Sequence, residues 1–397
     1  MTDLCLYFQV HQPYRLRRLR PFETSEGFDY WDHAKNKEIL DRAATKCYLP
    51  TNALIADLVR RTDGAFRVSY SLSGVFMDQL EQHRPDVLDS FRELAATGHV
   101  EFLDETHYHS LAGLWGDQQE VQEQVAEHRK AIIRHFGQRP TTFRNTELIY
   151  DDRIAHTVEA LGYQAILTEG ADRILGGRSP NHVYRPARDG SGLRVLLKNY
   201  RLSDDVAFRF SSHAWTQFPL TADKYANWLA ATPGQTVNLF MDYETFGEHQ
   251  WPETGIFQFL EHLPKETGRH PHLRYALPRE VAARHAPVDT LHVPHAISWA
   301  DTERDVSAWL HNRMQHHCFE QLRETGNLVR QARDEGLTTA WRRLQTSDHL
   351  YYCSTKSLDD QDIHAYFSPY TSPYLAFINY KNALDDLQAK AERMLRA

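Results

Sequence analysis

Cysteine is scarce. Four residues in 397 (Cys5, Cys47, Cys318 and Cys353) are widely scattered and form neither a CxxC pair nor a zinc spacing. Reduced thiols and a cytoplasmic location are the simplest expectation. No apolar run approaches the ~20 residues of a membrane helix, and no charged-then-apolar segment opens the chain, so neither a membrane span nor a signal peptide is expected. Positive charge is also short: 45 Lys and Arg stand against 53 Asp and Glu, a net charge of −8, which argues against a nucleic-acid binder. The one basic block, RLRRLR from Arg15 to Arg20, reads as a solvated loop face. No GxGxxG follows the first apolar segment, against a dinucleotide fold. Internal repeats and low-complexity linkers are absent as well.

What remains is ordinary globular composition, 41% hydrophobic and 25% charged, in a chain long enough for one large domain and a smaller one. Aromatics reach 12%, with 8 Trp and 19 Tyr. Rings in that number can fill a core, and they also suit a cleft that stacks sugar rings.

The pattern along the chain alternates strand and helix. Strands are expected at Leu4–Val10, Phe66–Leu72, His99–Leu103, Thr141–Thr146, Gln164–Thr168, Arg194–Lys198 and Thr236–Met241. Amphipathic helices are expected at Asn52–Arg61, Asp86–Thr97, Gln118–Phe136 and Arg153–Leu161. This rhythm means βαβ units and a parallel sheet, and polar groups at several strand ends favour a closed barrel over an open doubly wound sheet. Beyond about residue 300 the strand signal fades into long helical patterns, Asp305–Leu328 and Leu375–Arg396. The expected organisation is a barrel over 1–300 and a helical subdomain over 301–397 that closes the cleft.

Chemistry concentrates at the strand ends. The last expected strand runs into Asp242-Tyr243-Glu244-Thr245-Phe246-Gly247-Glu248-His249, and the fourth ends at Arg144-Asn145-Thr146-Glu147. Two carboxylates across one cleft suit glycoside cleavage, one attacking the anomeric carbon and the other protonating the leaving oxygen, at about 5–5.5 Å in a retaining enzyme. The plainer reading is that Asp242 caps a loop and that Glu147 merely pairs with Arg144. For those two residues to meet, the chain must turn between them, because their spacing puts them on opposite faces of a strand. His11, Glu101, Glu105, His107 and His109 suit hydrogen bonding to sugar hydroxyls. The rival is a metal site using His107, His109 and Asp242 or His11, although no HExxH or tight ligand cluster appears. Ser347-Asp348-His349-Leu350-Tyr351-Tyr352 suits a lobe over the cleft, or a helix cap at Ser347. Trp299 either stacks on a sugar or anchors the helix that follows.

Together these segments resemble glycoside hydrolase family 57. The resemblance rests on His11-Gln12-Pro13, Gly98-His99-Val100-Glu101, the segment ending at Glu147, Met241 to Gly247, and Ser347 to Tyr352, in that order. Two segments depart from the commonest wording: Asn145-Thr146 precedes Glu147, and His349 stands where tryptophan is frequent. The length and the stretch SWADTERDVSAWL look most like the intracellular α-amylase group. The resemblance implies an incomplete (β/α)7 barrel, an α/β fold with a C-terminal helical subdomain, and a retaining glycosidase acting on α-1,4 bonds of an α-glucan. Glu147 is the implied nucleophile and Asp242 the proton donor. Substrate contacts are expected from His11, Gln12, Glu101, Arg144, Tyr243, Phe246, His249, Trp299, Asp348 and His349. No metal or cofactor and no nucleic-acid or membrane partner is expected. Other readings are transfer to a sugar by a glucanotransferase or branching enzyme, a metal-dependent deacetylase-like amidohydrolase, and a glycan-binding protein without turnover.

Overall fold

The computed structural model describes residues 1–20, 27–356, 364 and 367–396. Its strands are β1 (Thr2–Val10), β2 (Val68–Leu72), β3 (Val100–Phe102), β4 (Thr142–Arg144), β5 (Ala165–Glu169), β6 (Val183–Pro186), β7 (Arg194–Lys198), β8 (Thr236–Asp242), β9 (Leu273–Tyr275) and β10 (Asp289–Leu291). β1 is buried along its whole length, as its near-continuous apolar sequence requires of a central parallel strand. It pairs in parallel with β8 on one edge, and with β9 and then β2 along the other. β3 extends this sheet beyond β2. A second sheet runs β10-β6-β7-β5-β4, parallel except where β6 meets β7.

Two short seams join the sheets. Asp104, just past β3, donates its backbone N–H to Thr142 O at 3.1 Å and accepts from Arg144 N at 2.9 Å. On the other side Asn199, just past β7, donates to Asn238 O of β8 at 2.8 Å. The seven strands expected from sequence therefore follow one another around a ring, whose ladder is interrupted at both seams. The barrel is not closed, and the fold is the incomplete (β/α)7 type. β6, β9 and β10 were not expected; each is three or four residues long and lacks a sustained apolar alternation.

Alternation along the strands builds the floor of the site. Cys5 and Tyr7 of β1, Leu167 of β5, Leu196 of β7 and Phe240 of β8 belong to one buried cluster inside the ring. Two residues further along their strands, on the same face, come Gln9, Lys198 and Asp242. An apolar plug thus lies beneath a polar rim at the C-terminal strand ends, where barrel enzymes place their chemistry.

The helices form where periodicity put them, including Gln118–Phe136 with Asp117 as N-cap and left-handed Gly137 as C-cap. The expected helix at Asp305–Leu328 instead begins at Arg313 and runs to Ala332. Asn312 is the stronger start signal, because its side chain accepts from Gln315 N while the Gln315 side chain reaches back to its backbone. Arg313–Ala332, Glu335–Leu344 and Pro373–Arg396 share one hydrophobic core with Tyr14, Leu16 and Trp31 near the N-terminus and with Phe143 and Ile166 of the barrel. Gly326 is required there, since a Cβ would run into the Trp341 indole. Between these helices the short helix Ser347–Tyr351 is pinned to the barrel rim. Ser347 N donates to His109 O at 3.0 Å and Thr346 Oγ1 donates to Tyr108 O at 2.9 Å.

Candidate active site

After β4 the chain turns through a 3-10 segment, Thr146–Leu148, in which Glu147 has φ 57° and Leu148 φ 53°. Left-handed backbone in two successive non-glycine residues is costly, about 1 kcal/mol or more each, and persists only where surroundings impose it. Here Leu148 N donates to Asn145 O at 3.0 Å, Trp299 N donates to Glu147 O at 3.3 Å, and Leu148 is fully buried. This is the turn that the Arg144–Glu147 spacing demanded. It presents the Glu147 carboxylate to three donors. Trp299 Nε1 reaches Oε2 at 2.7 Å, while His109 Nε2 at 3.2 Å and Ser347 Oγ at 3.1 Å reach Oε1. Burial pushes the Glu147 carboxyl up, but the hydrogen bond and charge of His109, the charge of Arg144 and the Trp299 hydrogen bond outweigh it and hold the group below its ordinary range.

Asp242 is treated in the opposite way. It ends β8 in register with Gln9 and, among the described residues, its carboxyl has no hydrogen-bond partner. Burial and the negative charge of Glu147 push it up to about 6, only partly offset by Arg144, Lys198 and His109. Nearby Glu244 is pushed up to about 8 by burial and by Asp242, with the Tyr48 hydroxyl bonded to it at 2.5 Å.

One cavity of about 860 Å³ is walled by Glu147 and Asp242 together with Gln9, His11, Gln12, His249, Trp299 and Asp348. His11 hydrogen-bonds Ser73 Oγ at 2.6 Å and Asp348 Oδ2 at 2.9 Å, so the C-terminal lobe is tied to the end of β1. Two cations lie over the Trp299 ring, Arg144 at 5.2 Å and Lys198 at 5.3 Å from its centre.

Five expected contacts are not on this wall. Glu101 faces the opposite end of the barrel, accepting from Thr142 Oγ1 at 2.6 Å and from Arg279 N at 3.1 Å, because it lies one turn of alternation below the rim. Arg144 is fully buried beneath the cavity and pairs with Glu105 and Gln9, so it acts on Glu147 through its charge. Tyr243 points outward into the helical layer, its hydroxyl donating to Asn52 Oδ1 at 2.6 Å, since strand alternation turns it away from Asp242. Phe246 packs edge-on against Phe8 at 5.6 Å in that same layer. His349 lies in the core of the C-terminal helices, stacked on Tyr380 at 5.2 Å. His107 and His109 diverge, because they sit on a turn past β3 and not on a strand. His107 faces Asp78 and Glu127, whereas His109 faces Glu105 and Glu147. Among the described residues no group of three or more His, Cys, Asp or Glu is placed to hold a metal ion.

Residues 5–294 match the sequence profile of Glycosyl hydrolase family 57. The chain belongs to that family. A Methanocaldococcus jannaschii protein named "Putative alpha-amylase" is 46% identical over 399 residues, spanning 98% of this chain and 84% of its own. Solved structures share the fold at low identity. A branching enzyme from Pyrococcus horikoshii superposes with TM-score 0.68 at 15% identity, covering 88% of this chain and 85% of its own. An α-amylase from Thermotoga maritima gives 0.61 at 14%, covering 100% and 95%. A 4-α-glucanotransferase from Thermococcus litoralis gives 0.67 at 14%, and this chain spans 88% of itself but only 56% of that one.

Within this family 57 enzyme the sequence reading passed over several cavity residues. Arg15, taken for part of a solvated face, is buried on the cavity wall with its guanidinium on Gln12 Oε1 at 2.9 Å. Gln9 and Lys198 were hidden inside strands; the available signal was a polar residue closing an otherwise apolar inward series. Ser347 caps no helix with its side chain and bonds Glu147 instead.

Proposed function

We propose that this protein is a retaining α-glucan hydrolase that cleaves α-1,4 bonds of malto-oligosaccharide, starch or glycogen by double displacement. The observation that carries the reading is the asymmetry of two carboxylates on one cavity: Glu147 is held by three donors, and Asp242, among the described residues, by none. A carboxylate fixed by donors stays ionised and serves as nucleophile. A buried carboxyl without donors beside a negative charge keeps its proton to a higher pH and serves as general acid. Glu147 attacks the anomeric carbon while Asp242 gives its proton to the leaving oxygen. Asp242 then takes a proton from the incoming water as the glycosyl–Glu147 bond breaks. His11, Gln12, His249 and Asp348 are the groups we assign to sugar hydroxyls, and Trp299 offers an indole edge beside the nucleophile. Trp251, 61% exposed at the cavity mouth, adds a stacking face further along the chain.

Hydrolysis is favoured over transfer by the 46% identical relative's name. A glucanotransferase and a GH57-type branching enzyme also share the fold. A product time course on maltoheptaose decides between them. Only shorter products are expected; products longer than the substrate mean transfer to sugar, and no products at all mean a binding protein. Full activity of Glu147→Gln would sink the assigned nucleophile.

A further inference from the structure

Four charged side chains form a continuous line beneath the cavity. Arg144 Nη1 donates to Glu105 Oε2 at 3.3 Å, His109 Nδ1 meets the same oxygen at 3.0 Å, and His109 Nε2 meets Glu147 Oε1 at 3.2 Å. Their signs alternate. The side chains of Arg144, Glu105 and His109 are all fully buried, and only Glu147 reaches the cavity. A neutral imidazole has one N–H and cannot donate to a carboxylate at each nitrogen; an imidazolium can. With no solvent at the ring, two carboxylates, one at each nitrogen, favour the charged form.

The other groups around the ring bear on that state. His11 stacks on His109 at 4.0 Å, and burial together with the His109 charge pulls the His11 imidazole down, so the two rings are not both cations. Asp348 lies beyond His11 at 2.9 Å, and the charge of His109 reaches both Asp348 and Asp242. Gln9 Nε2, a donor because Gln9 Oε1 accepts from Arg144, lies 3.1 Å from His109 Nε2 and by itself suits an unprotonated nitrogen there; the Nε2–H of the imidazolium has Glu147 Oε1 as its acceptor, an oxygen that Ser347 shares. Burial pulls His109 down, but Glu105 and then Glu147 outweigh it and raise it to about 9.

We propose that His109 is a positioning residue: a buried imidazolium, fixed by Glu105, that holds Glu147 as an anion and favours its release from the sugar in the second step. The proposal rests on Glu147 being the nucleophile. In that step the oxygen of water bonds to the anomeric carbon and its proton passes to Asp242. The bond from that carbon to Glu147 breaks, and the electron pair returns to the carboxylate. A fixed cation beside the returning charge stabilises it. The same cation makes the free carboxylate less basic and so less nucleophilic in the first step. Loss of the clamp therefore slows the second step relative to the first.

Glu105→Gln and His109→Gln test this with α-maltosyl fluoride, whose good leaving group makes the first step fast. Both variants are expected to release a burst of one fluoride per active site, with a steady rate lower by about tenfold or more. The acid limb of kcat/KM is expected to rise by about one pH unit or more. A lower rate without burst and with an unmoved acid limb means that His109 is only structural. If neither variant folds, ring-nitrogen NMR of the wild-type enzyme decides: both His109 nitrogens stay protonated up to about pH 8, and titration near the ordinary ~6.5 overturns the proposal. Trapping wild-type enzyme with 5-fluoro-maltosyl fluoride separates the two levels. Label on another residue refutes Glu147 as nucleophile, whereas label on Glu147 with no burst in the variants refutes the clamp alone.

Discussion

Replacing the proposed acid, Asp242→Asn, should make the protein more stable at neutral pH while removing most of its activity. Burial and the charge of Glu147 raise the Asp242 carboxyl from 3.8 to about 6. The folded state therefore binds this proton more tightly than the unfolded state. The contribution of this group to stability is full below about pH 4, falls as pH rises towards 6, and then stays at the lower level. A rise of about two units at ~1.36 kcal/mol each sets a ceiling near ~3 kcal/mol on the cost of ionising Asp242 in the fold. The side chain borders the cavity, so about 1–3 kcal/mol is the expected gain for asparagine, which carries no charge to desolvate. In a chain of this size that corresponds to a rise in Tm of a few degrees. The assay is equilibrium urea unfolding of both proteins near pH 4 and near pH 7.5. The variant should match wild type at the lower pH and exceed it at the higher. An equal or lower stability at both values refutes the view that Asp242 is an unsupported carboxyl in a desolvating wall. Activity follows the same group: wild-type kcat/KM should fall as pH rises through about 6, as the acid loses its proton.

Three further outcomes are expected. Trp299→Phe keeps a ring beside Arg144 and Lys198 but removes the N–H bonded to Glu147 Oε2, so the acid limb of kcat/KM should rise by about 1–2 pH units; an unmoved limb means the bond does not govern Glu147 ionisation. Gly247→Ala, in the loop that follows Asp242, should lower stability by about 2 kcal/mol or more in urea unfolding, because φ is 107° and a Cβ would run into the Lys46 carbonyl. A crystal structure should place the Glu147 and Asp242 carboxyl groups about 5–6 Å apart across the cavity; a separation beyond ~9 Å is incompatible with double displacement.

The strands that form the ring were legible because each is a short apolar run closed by a polar or turn signal, and burial on both faces needs nothing subtler. β6, β9 and β10 were not, because they are short pieces whose pairing depends on neighbours already in place: β9 on the start of β1, and β6 with β10 on β7. The start of the helix at Arg313 shows the same limit from the other side. The stretch from Asp305 is apolar enough to look helical, yet the Asn312–Gln315 capping pair decides where the backbone groups are satisfied. The two seams could not be read either, since each consists of one or two backbone hydrogen bonds between segments far apart in sequence.

Site residues divide along a single physical line. Asp242, Trp299 and Asp348 could be picked out because strand ends and polar breaks in helical regions are where side chains reach a cleft. Tyr243, Phe246 and Glu101 were misplaced because being near such a signal does not fix the direction of the side chain. Tyr243 follows Asp242 by one residue and so faces the other way, while Glu101 is inward-facing but too deep. The groups that set the chemistry of Glu147 lay further from view. Three separate segments supply its donors, His109 past β3, Trp299 after β10 and Ser347 among the C-terminal helices. No spacing rule links positions so far apart. What links them is electrostatic need: a carboxylate lifted into a cavity on strained left-handed backbone must be met by donors, or it would hold its proton to a higher pH, as Asp242 does. The same fold thus gives two carboxylates opposite surroundings, one met by three polar hydrogens and the other, among the described residues, by none.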